Sequence, residues 1–154
     1  MLQGFSERLY TSPFSTYLRT EFWIIPVSQT IHILCVAIVI ASAAAISARM
    51  VGVMGRDQPL ADFAKARAVW VFAALIGLVL TGSVQTLAEP EREFGNPIYL
   101  TKMALVLVAT GLSGVFLILL KRQTPLSTGG RIFGFLLVFL WALITICGRW
   151  IAYL

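Results

Sequence analysis

The chain has 154 residues, of which 58% are hydrophobic and 12% charged, and a formal net charge of +5. Its mean hydropathy is +0.87. Soluble domains carry about 25% charged residues, so this composition excludes a soluble enzyme. The basic residues sit at the ends of apolar runs and report topology, which also excludes a nucleic-acid partner.

Residues 1–23 scatter Phe5, Leu9, Phe14, Tyr17, Leu18 and Phe22 among charged residues. This pattern predicts short amphipathic helices on the membrane surface, interrupted at Ser12-Pro13. Four apolar stretches follow, at about 24–47, 68–87, 97–120 and 132–154. Each reaches the roughly 20 residues a bilayer crossing needs. The first is expected to be a retained helix and not a cleaved signal, because its long flank contains Glu7 and Glu21 and lacks a compact basic start. Pro26 suits the first turn of that helix, and Asn96-Pro97 reads as cap and first residue of the third. Thr128-Gly-Gly precedes the fourth. The connection 49–67 is the longest, with Gly52, Gly55, Pro59 and a helical turn expected at 60–66. Cys35 and Cys147 lie inside apolar runs and form no disulfide framework. Ala41–Ala45, Gly77, Gly82, Gly111 and Gly114 are small enough to let helices approach closely. The fold class expected is all-α: a four-transmembrane-helix bundle with an N-terminal interfacial segment, residues 1–154 forming one membrane domain.

Orientation follows from the basic residues. The first and third connections carry Arg49, Arg56, Lys65, Arg67, Lys121, Arg122 and Arg131 against Asp57 and Asp62. The opposite side holds Arg8, Arg19, Arg92, Lys102 and Arg149 with all the glutamates. The positive-inside rule puts the first group in the cytoplasm and both termini in the periplasm of a bacterial inner membrane.

The polar residues inside the spans share one depth. His32, the single histidine, lies six residues past Pro26, roughly 9 Å into the first helix at ~1.5 Å per residue. Lys102 lies five residues past Pro97, Arg149 five before the end, and Gln85 near the outer end of the second helix. Ser28 and Gln29 fall near the His32 face, Thr81 and Gln85 are one turn apart, and Trp141, Thr145 and Arg149 recur at four-residue spacing. Ionisable residues in spans face the bundle interior or a water-filled cavity. The expectation is an outer-leaflet pocket lined by His32, Gln29, Ser28, Gln85, Lys102, Arg149, Trp141 and Thr145. Each residue also has a structural reading: Lys102 and Arg149 can snorkel to the interface, Gln85 can bond a neighbouring helix, and His32 can bond a backbone carbonyl.

Two basic side chains and a histidine suit an anion or a metal complex; the inner parts of the spans hold no acid to pair them, while Glu89, Glu91 or Glu93 can fold over the opening. Haem b is one candidate, with His32 as axial ligand, Arg149 and Lys102 on the propionates, and Trp141 or Phe72 against the macrocycle; with a single histidine it requires a five-coordinate iron, a methionine such as Met103, or a second chain. A quinone is the second, its carbonyls held by His32, Ser28 and Gln29. Copper(I) on His32 and Cys35 is the third. There is no nucleophile–base–acid set for a self-contained enzyme, so at most a redox subunit is expected. The competing classes are a structural or assembly subunit of a larger complex, or a homo-oligomer, its polar residues contacting partner helices, and a copper or small-ligand transport component.

The stretches WIIPVSQTIHIL with ARMVG, FGNPIYLTKMALVL and the terminal GRWIAYL resemble a family of small four-helix bacterial inner-membrane proteins with no assigned activity. The resemblance covers nearly the whole chain and implies that Trp23, Gln29, His32, Arg49, Asn96, Lys102 and Arg149 are family-type positions. NPIYLTKMALVL is also similar to the copper-resistance D and cytochrome b561-like membrane domains, which carry several span histidines where this chain has one.

Overall fold

A computed structural model of the chain describes residues 2–55, 57–122 and 127–151. All regular structure among them is helical: α1 (Leu2–Tyr10), α2 (Pro13–Thr20), α3 (Ile24–Met50), α4 (Leu60–Ala88), α5 (Pro90–Phe94), α6 (Pro97–Arg122) and α7 (Thr128–Ile151). Helices α3, α4, α6 and α7 are long and apolar enough to cross a membrane. Large apolar side chains such as Ile33, Val69, Phe72, Leu107 and Phe139 stand exposed along them, a surface that only lipid tolerates. This is a multi-pass membrane protein.

The break between α1 and α2 falls at Ser12-Pro13, where Ser12 Oγ accepts from Ser15 N at 3.2 Å and Pro13 opens the helix. Asn96 Oδ1 accepts from Ile98 N at 2.9 Å and starts α6 as expected. Several boundaries differ from the sequence reading. α4 begins at Leu60, so the turn expected at 60–66 is continuous with the second span. Buried Phe63 and Ala64 hold that extension, and the Arg67 guanidinium lies 3.3 Å over the Phe63 ring. α3 runs on to Met50 because Ile46 and Met50 are buried in the core. α7 takes in Gly129 and Gly130, with Ser127 Oγ accepting from Gly130 N at 3.3 Å. Residues 152–154, the expected end of the fourth span, and Arg56 lie outside the described residues. PEREF, read as plain connection, is the short helix α5 with Pro90 in its first turn.

In the 49–60 connection, Gly52 (φ 76°) and Gly55 (φ 62°) take the left-handed conformation that favours glycine. A Cβ on Gly55 would also meet the Phe63 ring at 2.5 Å. Arg49 Nη2 closes the turn on Gln58 O at 2.6 Å.

The spans form a ring in the order α4–α3–α7–α6, closed by a lighter contact between α6 and α4. α3 and α4 make the most extensive pair. Ala74, Val39, Ala109, Trp141 and Ile144 form the central core layer, and Ile46, Met50, Ala64, Phe116, Leu120 and Leu137 the layer towards the connection 49–60. The other end is capped. α1, α2 and α5 fold over it, joined by an edge-to-face aromatic ladder Phe5–Phe94–Tyr99 and by Ser15 Oγ donating to Ala88 O at 3.4 Å.

Candidate polar site at the capped end

Three of the four spans bring a polar side chain to the bundle interior just beneath the cap. On α3, Ser28 is buried and donates to Thr81 O at 3.2 Å. His32 Nδ1 lies 2.8 Å from Thr81 Oγ1. The Thr81 hydroxyl has one proton and directs it to Gly77 O at 2.6 Å. With the proton there, His32 Nδ1 is the donor and Nε2 keeps the lone pair. The ring packs against α4 at Gly82, where a Cβ would stand in ordinary contact with His32 Cε1 at 3.6 Å.

Gln85, one turn beyond Thr81, has its amide Nε2 buried without a hydrogen-bond partner. On α6, the Lys102 stem lies along α7 at Gly148, where a Cβ would be 3.4 Å from both Cε and Nζ. The ammonium is within electrostatic reach of His32, Glu93 and Cys147. It makes no hydrogen bond or close ion pair among the described residues. Beside it Tyr99, buried, bonds Thr86 Oγ1 at 3.0 Å. The Thr86 proton goes to Gly82 O at 2.9 Å, so the phenol is the donor.

The cap supplies a carboxylate: of the three acids expected as candidates to fold over the opening, Glu89, Glu91 and Glu93, it is Glu93 that turns inward. Glu93 on α5 is 8% exposed, with Arg92 Nη2 at 3.8 Å, while Arg92 itself pairs more closely with Glu89 at 2.7 Å on the surface. Burial pushes the Glu93 carboxyl above its ordinary value, and Lys102 and Arg92 pull against that.

The remaining expected residues are not brought to this cluster. Gln29 is exposed. Thr145 is exposed and donates to Trp141 O in its own helix at 2.9 Å. Arg149 is exposed, and it is Cys147 and Gly148 that face Lys102 from α7. Trp141 belongs to the central core layer with Val39, and its Nε1 donates to Ser113 Oγ at 3.3 Å. Val39 is seven residues past His32, roughly 10 Å deeper. The group expected around a haem at His32 is therefore dispersed: Trp141 packs a layer below and Arg149 stands outside. For copper, Cys35 faces Gly77, a turn deeper than His32, and the described residues hold no group of three or more His, Cys, Asp or Glu side chains placed to share a metal ion. A cavity of about 160 Å³ lies at the opposite end, between Phe116, Leu120, Ser127, Gly130 and Phe133, away from all of these groups.

Comparison with protein-family models, with curated proteins and with solved structures finds no match.

Proposed function

We propose that this chain is a ligand-binding membrane protein whose polar site under the cap takes the carbonyl head group of a quinone, as a component of a redox assembly. The observation that carries the reading is a surplus of donors. Gln85 Nε2 is buried with no partner, and Lys102 makes no close ion pair or hydrogen bond among the described residues. An unmatched donor in a low-dielectric interior costs about 1–3 kcal/mol, more when charged, and a ligand that brings acceptor oxygens removes that cost. A quinone brings two carbonyl oxygens on an apolar body that dissolves in the bilayer. His32 Nε2, with its lone pair, adds an acceptor suited to the hydroxyl of the reduced form.

The residue charges support a bacterial inner-membrane location with the cap on the periplasmic side, since the connection 49–60 and its neighbours hold the larger share of Lys and Arg. The resemblance to small four-helix inner-membrane proteins agrees with that location.

The test is a calorimetric titration of the protein in lipid nanodiscs with a decyl-substituted benzoquinone. Saturable binding is expected, weakened about tenfold or more in Lys102→Met and in Gln85→Leu, as loss of a hydrogen bond worth at least ~1.4 kcal/mol implies. Absence of saturable binding, or variants that bind like the wild type, would overturn the reading. A Soret band in the purified protein that disappears in His32→Ala would replace the quinone with a haem.

A further inference from the structure

Composition alone makes the spans look like a site for anions, because Lys102 and Arg149 are both basic. The folded chain reverses that balance. Arg149 stands exposed on α7, while Glu93, from a segment outside the spans, is folded inward to 8% exposure. The other charged residues of the connection do not follow it: Glu91 is exposed, and Glu89 and Arg92 pair with each other at the surface. Placing a carboxylate there is unfavourable unless a cation compensates it. The cations that bear on it are Arg92, at the rim, and Lys102, inside. Glu93 and Lys102 do not close into an ion pair. The Lys102 donors thus stay available while its charge is already offset.

From this we infer that Glu93 is a specificity-determining residue: it sets the charge of the ligand, so that the site admits neutral carbonyl head groups and rejects carboxylate or phosphate ones. This rests on the binding site proposed above. An acceptor arriving at Lys102 approaches Glu93 as well. A neutral carbonyl gains the ammonium hydrogen bond without net repulsion. An anion gains the same bond and meets a like charge across a low-dielectric gap, where repulsion is far stronger than in water. Without Glu93 the ammonium would draw anionic amphiphiles, including the fatty acids and acidic phospholipids that crowd any bilayer. The carboxylate keeps them from occupying the site.

The experiment compares a decyl-substituted benzoquinone with decanoate, which share a tail and differ in charge, on nanodisc-embedded protein at neutral pH. Wild type is expected to bind the quinone and to exclude decanoate. Glu93→Gln should bind decanoate at least tenfold more tightly than wild type. Glu93→Asp, which retains the charge, should exclude decanoate again. Wild type that binds decanoate as tightly as the quinone would overturn the inference, whatever the variants do. So would a folded Glu93→Gln that still excludes decanoate, or a Glu93→Asp that admits it as readily as Glu93→Gln. Decanoate binding gained in Glu93→Gln and lost again on adding Lys102→Met, without quinone binding in any form, would refute the quinone and leave the charge selection standing.

Discussion

Glu93 has a cost that can be read as stability. Burial raises its carboxyl in the folded protein, against the opposing pull of Lys102 and Arg92 and with added repulsion from Glu89. A group raised on folding favours the folded state at acid pH, and that contribution is lost as pH rises through the folded value. Glu93→Gln, an uncharged mimic of the protonated acid, should therefore melt above the wild type at neutral pH, and the gap should close in the acid range below the ordinary carboxylate value. Melting curves of the two proteins in one detergent across that range check the sign; a wild type more stable than Glu93→Gln at neutral pH would contradict it. This carboxylate was hard to see in the sequence because nothing in EPEREFGNP shows which of its acids turns inward. That depends on α1 packing against α5, a tertiary event. His32 and Lys102, by contrast, were legible as candidates, since an ionisable residue inside a span has few places to go.

Among the helices, the interior seam follows seven-residue steps. His32, Val39 and Ile46 lie along α3; Ala74, Thr81 and Ala88 along α4; Lys102, Ala109 and Phe116 along α6; and Gly134, Trp141 and Gly148 along α7. In these rows Val39, Ile46, Ala74, Thr81, Ala88, Ala109, Phe116 and Trp141 are all buried. Seven residues turn a helix by roughly −20°, whereas each four-residue step turns it by about +40°. The four-residue row Trp141–Thr145–Arg149 drifts about 80° away from the core face by Arg149. A seven-residue reading from Trp141 arrives instead at Gly148, the surface on which Lys102 lies. The α3–α4 pair sits close for a similar reason: a Cβ on Gly77 would fall 2.6 Å from Cys35 Sγ but 3.9 Å from Cys35 Cβ. Gly77→Ala is expected to lose about 1–3 kcal/mol to overpacking, and most of that should return in Gly77→Ala/Cys35→Ala. The double-mutant cycle measures it, and additive losses would mean that sulfur and methyl never meet.

For the molecule as a whole, the number of spans was legible from hydropathy, because a bilayer demands long apolar helices and little else. The order of the spans around the ring was not, since each helix is apolar on nearly every side and periodicity alone does not pick a neighbour. Sidedness can be tested directly. In a background with Cys35 and Cys147 replaced by alanine, Glu91→Cys should react with a membrane-impermeant maleimide in intact cells, and Asp57→Cys only after lysis. The reverse pattern would invert the orientation. The aromatic ladder from Phe5 through Phe94 to Tyr99 ties α1 and α5 to α6 over the polar site. A quinone of the kind proposed would reach His32 and Lys102 by partitioning from the lipid phase, so the concentration that governs its occupancy would be its mole fraction in the membrane. Diluting a vesicle suspension at fixed ligand-to-lipid ratio should then leave the site as full as before, and adding empty vesicles should drain it.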